Sequence, residues 1–196
     1  MELTAENCGA VILAGGISRR MGCCKADLTV GGQTMLLRTR EQLSDFDSVL
    51  LSCNDRQVAQ GFKIVPDLFQ NAGPLAGIHA ALTATSKEAL FTVPCDLPNF
   101  SAALPRLLMS EMKADTDVLI CRNGEGYPEP LCGIYRKRVL PVLKACLEAG
   151  ERKVMNFVRR VSWEYFDTAG KLPDEIFFNM NTPEDYRRLR KPKTEI

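Results

Sequence analysis

Short apolar runs alternate with segments whose apolar residues fall three and four apart, and this alternation constrains the fold more than any other feature. Cys8 to Ala14, Val49 to Cys53, Phe62 to Val65, Ala89 to Cys95, Val118 to Cys121 and Leu131 to Tyr135 read as strands. The first four are largely continuous apolar runs, the pattern of strands buried on both faces. Between the runs, Thr34 to Leu43, Leu75 to Thr85, Ser101 to Met112 and Val139 to Leu147 carry helical spacing. The pattern predicts an α/β fold with a mostly parallel sheet. No internal repeat or low-complexity linker interrupts the 196 residues, so residues 1–196 are read as a single domain. A chain of this length buries roughly 70% of its unfolded surface and needs no disulfide to fold.

In open α/β sheets, ligands sit beyond the carboxyl ends of the strands. That directs attention to residues 14–25, 54–56, 66–67 and 94–98. Lys plus Arg number 25 against 24 Asp plus Glu, a net charge of +1. Such a chain has no broad field for a polyanion, so neither nucleic acid nor an anionic membrane is expected as a partner. Any anionic ligand must be held by local charges. The eight cysteines include no Cys-x-x-Cys pair and sit mostly within apolar stretches. They read as buried small hydrophobes in a reducing compartment. With one histidine, His79, the chain offers no clustered thiolate and imidazole ligands for zinc. The first residues carry acid where a signal peptide needs base, and no apolar run approaches the ~18 residues of a membrane span. A cytoplasmic location is expected.

Leu13-Ala14-Gly15-Gly16-Ile17-Ser18-Arg19-Arg20-Met21-Gly22-Cys23-Cys24-Lys25 follows the first strand. It fits neither the P-loop nor the dinucleotide fingerprint. Gly15 and Gly16 can still bring bare backbone N–H groups close to an anion, with Arg19, Arg20 and Lys25 supplying cations nearby. A tight turn with solubilising charges is the plainer account of the same residues.

This segment resembles the signature loop of the sugar-nucleotide-type nucleotidyltransferases. Gly-Gly after Leu-Ala is similar to the molybdenum cofactor guanylyltransferases, whereas relatives that transfer cytidylyl groups usually begin with two alanines. Pro74-Leu75-Ala76-Gly77-Ile78 resembles that family's turn ahead of a helix, and Pro94-Cys95-Asp96-Leu97-Pro98 its acidic motif at a strand end. Ala149 to Phe157 and Phe178 to Glu184 also fit, so the resemblance runs from about residue 9 to residue 186.

The resemblance implies a three-layer Rossmann-like nucleotidyltransferase fold. It implies transfer of a guanylyl group from GTP to molybdopterin, with pyrophosphate released. Transient contacts with other cofactor-biosynthesis proteins and apo-molybdoenzymes are implied as well. Two alternatives are a cytidylyltransferase of the same fold and a non-catalytic nucleotide carrier. The attacking phosphate is already an anion near pH 7, so the chemistry asks for charge neutralisation rather than a strong base. By resemblance, Lys25, Asp96 and Arg20 are the catalytic residues. By the same resemblance Leu13, Ala14, Gly15, Gly16, Lys25, Asn54, Asp67 and Asp96 bind the nucleotide and Asp96 anchors Mg²⁺, whereas from the residues alone Asp96 could equally cap the turn of its Asp-x-Pro pattern, and Asn54 and Asp67 could make ordinary turns after their strands. A carboxylate such as Asp67 can accept from guanine N1–H and N2–H₂. Asn181 has two readings: a second metal ligand, or a shaper of the chain before a helix capped by Thr182 and begun by Pro183. Arg152 and Lys153 resemble a basic pair on the pterin side, although exposed surface explains them equally. His79 reads as a structural helix residue. Cys23 and Cys24 depart from the usual pattern beside Lys25, and a thiol there is expected to be acidic and oxidant-sensitive.

Overall fold

The computed structural model describes residues 2–14, 28–54 and 61–190. Strand β1 (Cys8–Leu13) is buried along its whole length, as its unbroken apolar run requires. A short hairpin, β2 (Thr29–Val30) and β3 (Gln33–Thr34), leads into α1 (Met35–Gln42). Thr34 caps that helix by accepting from the Leu37 N–H at 3.3 Å. The chain continues through β4 (Val49–Ser52), β5 (Lys63–Val65), α2 (Pro74–Ala84), β6 (Ala89–Pro94), α3 (Ala103–Glu111), β7 (Val118–Arg122) and β8 (Pro128–Arg136). It ends with α4 (Leu140–Glu148), α5 (Val154–Val158), β9 (Trp163–Asp167) and α6 (Pro183–Arg190).

Among the described residues, seven strands form one sheet in the order β5-β4-β1-β6-β8-β7-β9. The pairs β5/β4, β4/β1, β1/β6 and β7/β9 are parallel, while β8 runs against both β6 and β7. The sheet is mostly parallel, as expected. The chain leaves β1 toward β4 and β5, then returns across β1 to β6. Right-handed crossovers in opposite directions place α1 and α2 on opposite faces.

Two cores confirm this three-layer arrangement. On one face Cys8, Ala10 and Ile12 of β1 meet Leu36 of α1 and Leu104 and Leu108 of α3. On the other, Val11 and Leu13 of β1 meet α2, α4 and Phe157 of α5. The alternation of β1 side chains thus feeds both layers. Helix α2 is buried from Leu75 to Leu82 because it lies over the middle of the sheet. Gly77 permits that position: a Cβ there would strike Ser52 Oγ and come within 3.3 Å of Leu13 Cδ2. Where α1 and α2 part around β1, a cleft opens at the carboxyl ends of the strands.

All six expected strands and four expected helices are present, with shifted ends. β8 extends forward to Pro128 because its polar, partly exposed first half carries no apolar signal. β9 and α5 were not expected from the sequence. β9 is an edge strand with one buried residue among five, and α5 has only five residues. No helix among the described residues is long and apolar enough to cross a membrane. Cys8, Cys53, Cys95, Cys121, Cys132 and Cys146 are buried, as small hydrophobes should be. Burial pushes the Cys8 thiol up to about 12 and raises those of Cys121 and Cys132. Cys23 and Cys24 lie outside the described residues.

Candidate active site

Four parallel strand ends converge at the cleft. The Ala14 N–H donates to the Ser52 carbonyl at 2.9 Å, and the Cys95 N–H to the Leu13 carbonyl at 3.2 Å. These bonds hold the ends of β4, β1 and β6 in register. Leu13 and Ala14 are nearly buried, so they shape the floor with backbone rather than side chains. Gly15, Gly16, Arg19, Arg20 and Lys25 lie outside the described residues.

Asn54 and Asp67, expected together beside the nucleotide, are in direct contact across the ends of β4 and β5. The Asn54 Nδ2 donates to Asp67 Oδ2 at 3.0 Å, and the Asp67 N–H donates to Asn54 Oδ1 at 2.9 Å. Partial burial pushes the Asp67 carboxyl above its ordinary range, while hydrogen bonds from Asn54 and Ser52 pull it back. The pair is therefore a preformed polar clamp on the rim of the cleft.

Asp96 stands two residues beyond the end of β6 and is half-buried, with its Oδ1 enclosed. The Met180 N–H donates to the Asp96 carbonyl at 3.0 Å, bringing the 179–181 segment onto the Asp96 turn. Met180 is fully buried beside Val30 and Met35, which fixes that approach. The helix-start reading of the same segment is met. Asp185 Oδ2 accepts from the Asn181 N–H at 3.0 Å and the Thr182 N–H at 2.8 Å, and Thr182 Oγ1 accepts from the Asp185 N–H at 3.1 Å. Asn181 therefore stands in a helix cap adjoining Asp96. A carboxylate and an amide oxygen form a hard donor set suited to a small divalent cation that keeps waters and phosphates as its other ligands. No group of three His, Cys, Asp or Glu able to hold a metal occurs among the described residues.

Arg152 and Lys153 are exposed at the start of α5, where Glu151 Oε1 accepts from both backbone N–H groups at 2.8 Å. Glu151 Oε2 takes the Asn156 side chain at 2.8 Å, and these hydrogen bonds lower its carboxyl to about 2. His79 is 6% exposed in α2 and meets Phe69 edge-on, with ring centroids 5.1 Å apart. Burial, helped by Lys144, lowers its pKa and keeps the ring neutral near pH 7. It belongs to the helix, not to the cleft.

One feature escaped the sequence. Beyond Asp96, between the β7–β8 hairpin and the turn at 174–177, runs a groove of about 910 Å³ whose lining includes Asn123, Glu129, Asp174, Glu175 and Phe178. The sole sequence signal was the carboxylate set between prolines in Pro128-Glu129-Pro130.

Fold and cleft define a nucleotidyltransferase with a Rossmann-like sheet. Residues 10–167 match the family described as "MobA-like NTP transferase domain", and the chain belongs to that family. A protein of Vibrio atlanticus named molybdenum cofactor guanylyltransferase is 36% identical over 180 residues, covering 89% of this chain and 91% of its own. The crystal structure of molybdopterin-guanine dinucleotide biosynthesis protein A from Archaeoglobus fulgidus is similar at a TM-score of 0.80 and 27% identity, covering 93% of this chain and 96% of its own. A nucleotidyl transferase from Methanothermobacter thermautotroptrophicus shares the fold at a TM-score of 0.71 and 19% identity, covering 93% of this chain and 95% of its own.

Proposed function

We propose that the protein transfers the guanylyl group of GTP to molybdopterin, forming molybdopterin guanine dinucleotide and releasing pyrophosphate. The observation that carries this reading is the 36% identity, along nine-tenths of both chains, to a relative named for that activity. A phosphate oxygen of the acceptor attacks the α-phosphorus of GTP. The bond from that phosphorus to the bridging oxygen breaks, and pyrophosphate leaves with the electron pair. Both partners are anions, so the protein's work is neutralisation and in-line alignment.

In this reading Gly15 and Gly16 offer backbone donors, while Lys25 and Arg20 balance the triphosphate and the departing pyrophosphate. Asp67, steadied by Asn54, accepts from the guanine edge. Asp96, with Asn181 beside it, would hold Mg²⁺, which when bound supplies positive charge at the phosphates.

Thermal unfolding with GTP, CTP and ATP in the presence of Mg²⁺ tests the nucleotide. A ligand at 100 times its Kd adds about 2.7 kcal/mol, or roughly 5–10 °C in Tm for a domain of this size. GTP should give the largest shift, and incubation with molybdopterin should yield the guanine dinucleotide by mass together with pyrophosphate. A preference for CTP would make the protein a cytidylyltransferase, and GTP binding without turnover would make it a carrier.

A further inference from the structure

The groove beyond Asp96 is a built site. Its hairpin rim is closed by Asn123, whose Oδ1 accepts from the Glu125 N–H at 3.2 Å and the Tyr127 N–H at 2.9 Å. The Gly124 N–H donates to Asp174 Oδ1 at 2.9 Å, tying the hairpin to the 174–177 turn. On the Asp96 side the Asn99 Nδ2 donates to the Glu175 carbonyl at 3.1 Å.

Glu129 is set into this groove by an irregularity in β8. Ile120 of β7 pairs with Gly133, yet the next residue, Cys121, pairs with Glu129, so residues 130–132 bulge out of the ladder. Two of the carbonyls there accept from side chains: the Tyr135 hydroxyl donates to Pro130, and Thr92 Oγ1 donates to Leu131 at 2.9 Å. Gly133 is required at the bulge, since a Cβ there would come within 2.6 Å of the Leu119 carbonyl. Bulges of this kind re-aim side chains next to active sites. The Asn123 Nδ2 holds Glu129 Oε1 at 3.1 Å. Each carboxylate oxygen has two lone-pair sites, so beyond the Asn123 bond Glu129 retains capacity for a pair of further donors, one on each oxygen. Asn99, three residues beyond Asp96, lines the same groove as Glu129, which puts the groove beside the Asp96 turn.

We propose that this groove binds the pterin ring of the acceptor, with Glu129 accepting from the ring N3–H and 2-amino group and so orienting the acceptor phosphate toward Asp96. The inference rests on molybdopterin being the acceptor. Glu125, Glu129, Asp174 and Glu175 line the groove, and they repel the anionic phosphate end of such a molecule. Its pterin end is neutral and presents adjacent N–H and NH₂ donors, which match the two oxygens of one carboxylate. Phe178 adds an aromatic ring to the lining, and aromatic rings pack well against a flat heterocycle.

The test compares the wild-type chain with Glu129→Gln, which keeps the shape but sets an amide donor against the ring donors. The probes are the fluorescence of 6-hydroxymethylpterin, which carries no phosphate, and of lumazine, which has a carbonyl in place of the 2-amino group. Wild type should prefer the pterin. Glu129→Gln should bind it about 10- to 100-fold more weakly, lose the preference over lumazine and raise KM for molybdopterin. The Tm and the thermal shift with GTP should stay unchanged. Equal pterin binding by both proteins with an unchanged KM for molybdopterin, or a parallel loss of the GTP shift, overturns the proposal. A wild-type protein that binds pterin through Glu129 yet makes no guanine dinucleotide supports the groove and sinks the transfer reading instead.

Discussion

The two halves of the sheet deliver residues to the cleft by different rules. In β5, β4 and β1 every neighbour is parallel, so each strand brings its carboxyl end and the loop beyond it. Those ends are locked by main-chain bonds and by the Asn54–Asp67 pair. On the other side of β6 the reversed β8 brings its beginning to the same edge of the sheet, so Glu129 stands on the strand itself. Parallel pairing gives a backbone-lined floor suited to phosphates. The antiparallel insertion gives a side-chain-lined groove whose chemistry is set residue by residue.

The sharpest way to break this division is at the seam, where Asp96 serves both halves. Asp96→Ala should lower kcat about 10³-fold or more at saturating Mg²⁺; wild-type turnover would remove Asp96 from the chemistry. Asp67→Ala, confined to the nucleotide half, should raise KM for GTP about 10- to 100-fold and leave KM for the acceptor unchanged. A matching rise for the acceptor would show that the halves are not separable. Gly77→Ala probes the floor mechanically, because its Cβ would press on Ser52 beneath the Asn54–Asp67 clamp. Overpacking of this kind costs about 1–3 kcal/mol, roughly 2–12 °C in Tm by thermal unfolding.

The smallest effect belongs to Glu151, at the start of α5. Its folded carboxyl, near 2, lies below the ordinary 4.5, so its contribution is present above about pH 4.5 and is lost as the pH falls toward 2. Glu151→Gln should remove that slope, read as the wild-type minus variant difference in Tm between pH 2 and 6. A difference that does not vary with pH would assign the residue a packing role only.

The parallel half was largely legible in the sequence. Continuous apolar runs mark strands buried on both faces, and the residues that follow such strands necessarily gather at one edge of the sheet. That is why Leu13, Ala14, Asn54, Asp67 and Asp96, chosen from separate stretches, fall at one edge of the sheet. Met180 shows what spacing alone could not deliver, since its bond to Asp96 crosses 84 residues of chain. The antiparallel half was less legible because its signals are tertiary. Glu129, Asn123 and Asp174 come from polar segments whose neighbours are decided by the hairpin and the 174–177 turn. The front of β8 and the whole of β9 mix polar and apolar residues because both are partly exposed.

The β7–β8 hairpin is fastened at its base by the bulge and by the Asn123–Glu129 bond, while its tip, Glu125 to Tyr127, stands exposed. Loop tips tolerate insertions when the backbone beneath them is held independently. The protein therefore carries a modular rim: residues added at the tip lengthen one wall of the groove while the strand ends around Asp96 keep their register. Descendants of this scaffold can change the molecule they modify without rebuilding the machinery that activates the nucleotide.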